Sequence, residues 1–104
     1  MVGFIINTMS VTIRRLLVDA LKPREVSLLD LSRALTSVEG VDELDAIVTE
    51  VDAKTETIKL TIRGANVDYD VVSKVMEEHS VAIRGVDEIS VAKVKPPKPV
   101  VPSK

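Results

Sequence analysis

Leu44-Asp45-Ala46-Ile47-Val48-Thr49-Glu50-Val51, then Asp52-Ala53-Lys54-Thr55-Glu56, then Thr57-Ile58-Lys59-Leu60-Thr61-Ile62-Arg63-Gly64: two runs rich in β-branched residues flank a short polar connection. That pattern predicts a hairpin. In the second run Ile58, Leu60 and Ile62 fall on one side, with Thr57, Lys59, Thr61 and Arg63 on the other. Strict alternation requires a sheet with one apolar face and one face that accepts polar groups. The rest of the chain must supply what covers the apolar face.

Upstream of the hairpin, Ser27-Leu28-Leu29-Asp30 reads as a capping box, a serine for an orphan amide with an acid three residues on. Leu28, Leu31, Ala34, Leu35 and Val38 follow at helical spacing, and Gly40 supplies the left-handed residue that ends a helix. Downstream, Gly64-Ala65-Asn66 reads as a loop and Asp68 as an N-cap, with Val67 and Val72 at staple spacing around it. Val71, Val72, Val75 and Met76 then form the buried stripe of a second helix that stops at His79-Ser80. Further out, Val11 to Leu21 is a strand ended by Lys22-Pro23. Leu16, Val18 and Ala20 share one of its faces; Ile13, Arg15, Leu17, Asp19 and Leu21 share the other. The last strand runs from Val81 or Ala82 to Val94. Gly85 inside it marks a bulge, which leaves the facing of Asp87 and Glu88 open by one register.

The order strand, helix, strand, strand, helix, strand is the ferredoxin-like arrangement, an α+β sandwich with a four-stranded antiparallel sheet and two helices on one face. Strands one and three are central; strands two and four are edges. The uncovered face is expected to carry Ile13, Leu17, Leu21, Ile47 and Val51, more apolar surface than a solvated face normally shows. Neither edge strand has a proline to block pairing. Both features predict a homo-oligomer.

A chain of 104 residues forms one domain. Residues 10–94 form that domain, 1–9 an apolar N-terminal extension and 95–104 a proline-rich, polyproline-like tail. The extension reads as disordered, against the competing reading of a short strand packing on a neighbouring subunit. Aromatic residues are confined to Phe4 and Tyr69, so the core is aliphatic. The absence of cysteine excludes disulfides, thiolate metal sites and thiol nucleophiles, and fits a reducing, cytoplasmic setting. Net charge is −2, but Lys95, Lys98 and Lys104 lie in the tail, leaving residues 1–94 with 11 basic and 16 acidic side chains. An acidic body argues against nucleic acid, which requires a basic stripe. No apolar run has transmembrane length.

Sites common on this fold fail in turn. Arg14, Arg15, Lys59 and Arg63 on the central strands come with no aromatic ring to stack a base. Lys22-Pro23-Arg24-Glu25 is not a phosphate cradle. His79, the single histidine, stands at a helix C-terminus, where it complements the dipole; Tyr69 reads as a packing residue. No nucleophile–base pair is visible, so the chain reads as a non-enzyme.

Charged residues remain. Glu39, Asp42, Glu43 and Asp45 crowd the approach to strand two and read as a solvated acidic rim. Oxygen-only groups suit calcium or magnesium, and Asp45, Asp87 and Glu88 are the metal candidates. Arg15 and Asp19 read as members of a cross-strand ion-pair lattice. Asp19 has Arg63 or Arg84 as its expected partner, with an anion or subunit contact as the sharper alternative.

Leu21-Lys22-Pro23 after the Arg15…Asp19 strand, Glu50-Val51-Asp52, Thr55-Glu56-Thr57-Ile58-Lys59 and Val86-Asp87-Glu88 together resemble a family of small archaeal proteins of unknown function. The resemblance covers residues 11–92 and implies a ferredoxin-like fold assembled into ring-shaped homo-oligomers, with no reaction attached. The extension and the proline-rich tail depart from the family pattern. Candidates for a ligand or subunit junction are Arg15, Asp19, Glu50, Asp52, Arg63, Asp87 and Glu88. The function expected is self-assembly; the alternative is a sensor holding a small molecule or divalent cation between subunits.

Overall fold

The structure, a computed structural model, describes residues 10–94. The expectations about the N-terminal extension and the proline-rich tail fall outside the described residues. The elements are β1 (Ser10–Pro23), α1 (Leu28–Thr36), β2 (Glu43–Val51), β3 (Thr55–Val67), α2 (Tyr69–Glu78) and β4 (Ala82–Val94). They build one sheet of order β2-β3-β1-β4 with every neighbouring pair antiparallel. This is the ferredoxin-like α+β topology that the order of elements predicts.

Local signals set the helices. The Ser27 hydroxyl accepts from the Asp30 backbone N–H at 3.1 Å. Asp68 accepts from the N–H groups of Asp70 and Val71 at 3.0 and 3.2 Å, while Val67 and Val72 on either side of it are buried. At the other end of α2, Ser80 adopts φ 62°. The Val81 N–H reaches the Met76 carbonyl and the Ser80 N–H that of Glu77, both at 2.9 Å, the paired bonds of a Schellman motif. Helix α1 stops earlier than its glycine suggests, at Thr36 with Ser37 as C-cap. Gly40, at φ 92°, instead turns the chain toward β2.

One apolar core lies between helices and sheet. Leu16, Val18 and Ala20 of β1 and Ile58, Leu60 and Ile62 of β3 meet Leu31 and Leu35 of α1 and Val72 and Met76 of α2, all essentially inaccessible. Each large aliphatic side chain buried this way contributes roughly 1.5–3 kcal/mol, so these ten positions carry most of the driving force for folding.

Three readings of the sequence need correction, each because a strand is irregular. Arg14 is an extra residue of β1 relative to β4, since Ile13 pairs with Val91 and Arg15 with Ser90. The face therefore switches there, and Ile13 packs against the core rather than on the uncovered side. Thr49 is likewise extra on β2: Val48 pairs with Ile58 and Glu50 with Thr57. Beyond it Val51 lies opposite Glu56, whose carboxylate meets the core-side residue Lys22, so Val51 is on the helix side too. Gly64-Ala65-Asn66 is not a loop: β3 continues to Val67, which pairs with Ile13. Gly64 is required because the chain crosses it, and a Cβ there would lie 1.9 Å from the Gly40 carbonyl oxygen.

Candidate functional site: the uncovered sheet face and its edges

On β4 the predicted irregularity around Gly85 is real and double. Arg84 and Asp87 are both extra residues relative to β1, flanking Gly85 and Val86. Bulges re-aim side chains, and these two do so toward the uncovered face. Arg84 Nε approaches Asp19 Oδ2 at 3.8 Å, and Asp87 Oδ2 pairs with Lys59 Nζ. Glu88, next in line, meets Arg15 at 3.6 Å. Asp87 and Glu88 thus both face the uncovered side.

The same face on the other half of the sheet is organised by Arg63, whose guanidinium meets Glu43 at 3.2 Å and Asp45 at 2.9 Å. The ion-pair lattice expected around Arg15 and Asp19 is therefore present, but the partner of Asp19 is Arg84. Arg63 lies across from Arg15, because β1 and β3 are antiparallel and the residue opposite Asp19 is Lys59. Hydrogen bonding to Asp87 raises the Lys59 pKa above the ordinary lysine value, and bonding to Asp45 and then Glu43 does the same for Arg63. Ion pairs this exposed add little to stability. Their larger effect is to make the uncovered face polar, leaving only Leu17, Leu21 and Ile47 of the five apolar residues expected there.

Among the metal candidates, Asp87 and Glu88 are neighbours while Asp45 sits on the opposite edge strand, three inter-strand spacings or about 14 Å away. Among the described residues no group of three or more His, Asp or Glu side chains is placed to hold a metal ion. Glu50 and Asp52 stand exposed at the end of β2, apart from the Asp19–Asp87–Glu88 group. Asp19 has one unusual feature: its Oδ1 is buried without a hydrogen-bond partner. His79 Nδ1 lies 2.9 Å from the Val75 carbonyl within its own helix end. Tyr69 packs against the core.

Lys22 was invisible as a structural residue in the sequence. It is 1% exposed, and its ammonium donates to the carbonyls of Pro23 and Val26 and pairs with Glu56 at 2.9 Å. The available signal is phase: 16, 18, 20 and 22 share the core side of β1. Lys22 pins the turn between β1 and α1 to the start of β3.

Exposed apolar surface lies along the edges. On β4, Val86, Ile89 and Val91 pair with Val18, Leu16 and Ile13 and so face the helix side, yet they are 42, 52 and 55% exposed. At the start of β4, Tyr69, Ser73 and Glu77 of α2 and Val81, Ala82 and Ile83 line a groove of about 470 Å³. On β2, Ile47 is 61% and Val51 56% exposed. Among the described residues no helix is long and apolar enough to cross a membrane.

A two-helix, four-stranded α+β domain whose second face is ion-paired and whose two edges are unpaired among the described residues is the class that fold and surface define. Residues 14–95 match the family DUF211, described as uncharacterised ArCR proteins, and the chain belongs to that family. It is 37% identical over 81 residues to an uncharacterised protein of Methanocaldococcus jannaschii, across 78% of this chain and 84% of that protein. Neither description names a reaction, ligand or partner, and the expected resemblance to small archaeal proteins of unknown function is met.

Proposed function

We propose that this chain is a non-catalytic, cytoplasmic domain whose working unit is a homo-oligomer joined through its edge strands. The observation that carries the reading is the apolar strip of Val86, Ile89 and Val91 on β4, an edge strand whose outer backbone groups have no partner among the described residues. Such an edge is a template for pairing unless it is blunted by proline, by bulges or by being short; β4 runs 13 residues without proline, and beyond its bulges at Arg84 and Asp87 no residue from Glu88 to Val94 is extra. Val51 and Ile47 give β2 a smaller apolar margin of its own. Pairing β2 of one copy with β4 of the next is a heterologous contact, which closes into a ring when the rotation allows. The acidic body and the aromatic-free central strands support a protein partner over nucleic acid.

A second reading, a sensor holding a small molecule or divalent cation between copies, is favoured by the orphaned Asp19 Oδ1 beside Asp87 and Glu88. Native mass spectrometry and light scattering at micromolar concentration test both. A multiple of the chain mass is expected, and particles of 11.3 kDa alone would refute self-association. Calcium or magnesium that neither adds mass nor raises the melting temperature removes the cation version of the second reading.

A further inference from the structure

The strip on β4 matches a segment of the chain itself. Residues 1–9 contain no charged side chain, and Val2, Phe4 and Ile6 alternate with Gly3 and Ile5. In an extended strand Val2, Phe4 and Ile6 share one face. That period fits Ile89 and Val91, two residues apart, with Val86 beyond the bulge at Asp87. An extended peptide added to a sheet edge gains main-chain hydrogen bonds from the edge and specificity from its alternate side chains.

We propose that the segment Val2–Ile6 of one copy adds to the outer edge of β4 of another copy and covers Val86, Ile89 and Val91. The point of departure decides between copies. Ser10, the first described residue, pairs with Val94, so residues 1–9 join the sheet at the end where β4 stops. To reach its own strip the segment must reverse direction and cross β4, two inter-strand spacings or about 10 Å from β1. That crossing consumes at least Asn7–Met9 and leaves five residues, about 17 Å, which extend from the Val94 end of β4 to Ile89 but stop short of Val86, about 27 Å from that end. A second copy takes the segment with no reversal, and nine extended residues reach about 30 Å.

This deepens the self-association reading and rests on it. The native chain has no cysteine, so any disulfide reports only introduced residues. Phe4→Cys or Ile6→Cys chains are mixed with Ile89→Cys or Val91→Cys chains of full length and mildly oxidised. A bond forms only where the two Cα atoms come within about 7 Å, so at least one mixture should give a covalent heterodimer as its main product. Adding Val86→Lys to the strip chain should lower that yield at least tenfold. Double variants such as F4C/I89C that link within one chain, running at monomer mass, would overturn the exchange between copies. No link in any mixture, with full-length protein still oligomeric by light scattering, would overturn the docking and leave self-association standing. A monomeric full-length protein would overturn both.

Discussion

Removing the Lys22 ammonium while keeping its stem, as Lys22→Met, should destabilise the domain by about 3 kcal/mol. The side chain is buried and donates to two backbone carbonyls and to Glu56. Removing one member of a buried pair costs about 3–5 kcal/mol, and a charged hydrogen bond about 1.5–3. The Glu56 side chain keeps 21% of its surface and recovers water when its partner leaves, which places the total at the lower end. The stem of methionine preserves the packing, so no cavity adds to the cost. Urea unfolding at a fixed protein concentration, with a slope of about 1–1.5 kcal/mol per molar for a domain this small, should show the midpoint fall by about 2–3 M. Replacing both partners, as in K22M/E56L, should recover much of that loss, since an apolar pair escapes the desolvation that the ion pair suffers. A Lys22→Met midpoint within about 0.3 M of the native one would refute the reasoning. It would mean that desolvating the ammonium costs as much as its three contacts return.

Ser80→Gly should stabilise by about 0.5–1 kcal/mol, because φ 62° strains any residue with a Cβ; thermal unfolding reads it as a higher melting temperature. Gly64→Ala should cost about 3 kcal/mol or more, since its Cβ would fall 1.9 Å from a backbone oxygen that side-chain motion cannot clear; poor recovery of folded protein or a large fall in the urea midpoint checks it. Lys59 has its folded pKa raised, chiefly by bonding to Asp87. Its contribution is therefore complete below the ordinary lysine value and lost as pH climbs through the raised one. Lys59→Arg, which stays charged, should lose less stability than the native chain between neutral pH and strongly alkaline buffer, as read by urea midpoints across that range.

What was legible in the sequence was local. Ser27 with Asp30, and Asp68 between Val67 and Val72, announce their helices because the interacting atoms lie within five residues of one another. Ile58, Leu60 and Ile62 announce the buried face of β3 because alternation there is unbroken. Ile13 and Val51 each lie just beyond an extra residue, Arg14 or Thr49, that no composition marks, whereas Gly85 marks the irregularity in its neighbourhood. Gly64 reads as part of a loop because its reason for being glycine is the backbone of Gly40, more than twenty positions earlier. Of the candidate residues, those sharing strands β1 and β4 come together, while Asp45, Glu50 and Asp52 do not join them, since strand order is a long-range property.

The extra residue at Thr49 has a consequence for how this chain can change length. Dropping one residue from a strand ordinarily turns every later side chain to the wrong side. Here Val48 is already partnered with Ile58 and Glu50 with Thr57, so excising Thr49 would leave an unbroken ladder with each neighbour where it was. Loss of one residue should therefore be tolerated at that position, inside an element where a change of length is otherwise the least forgiving kind of mutation.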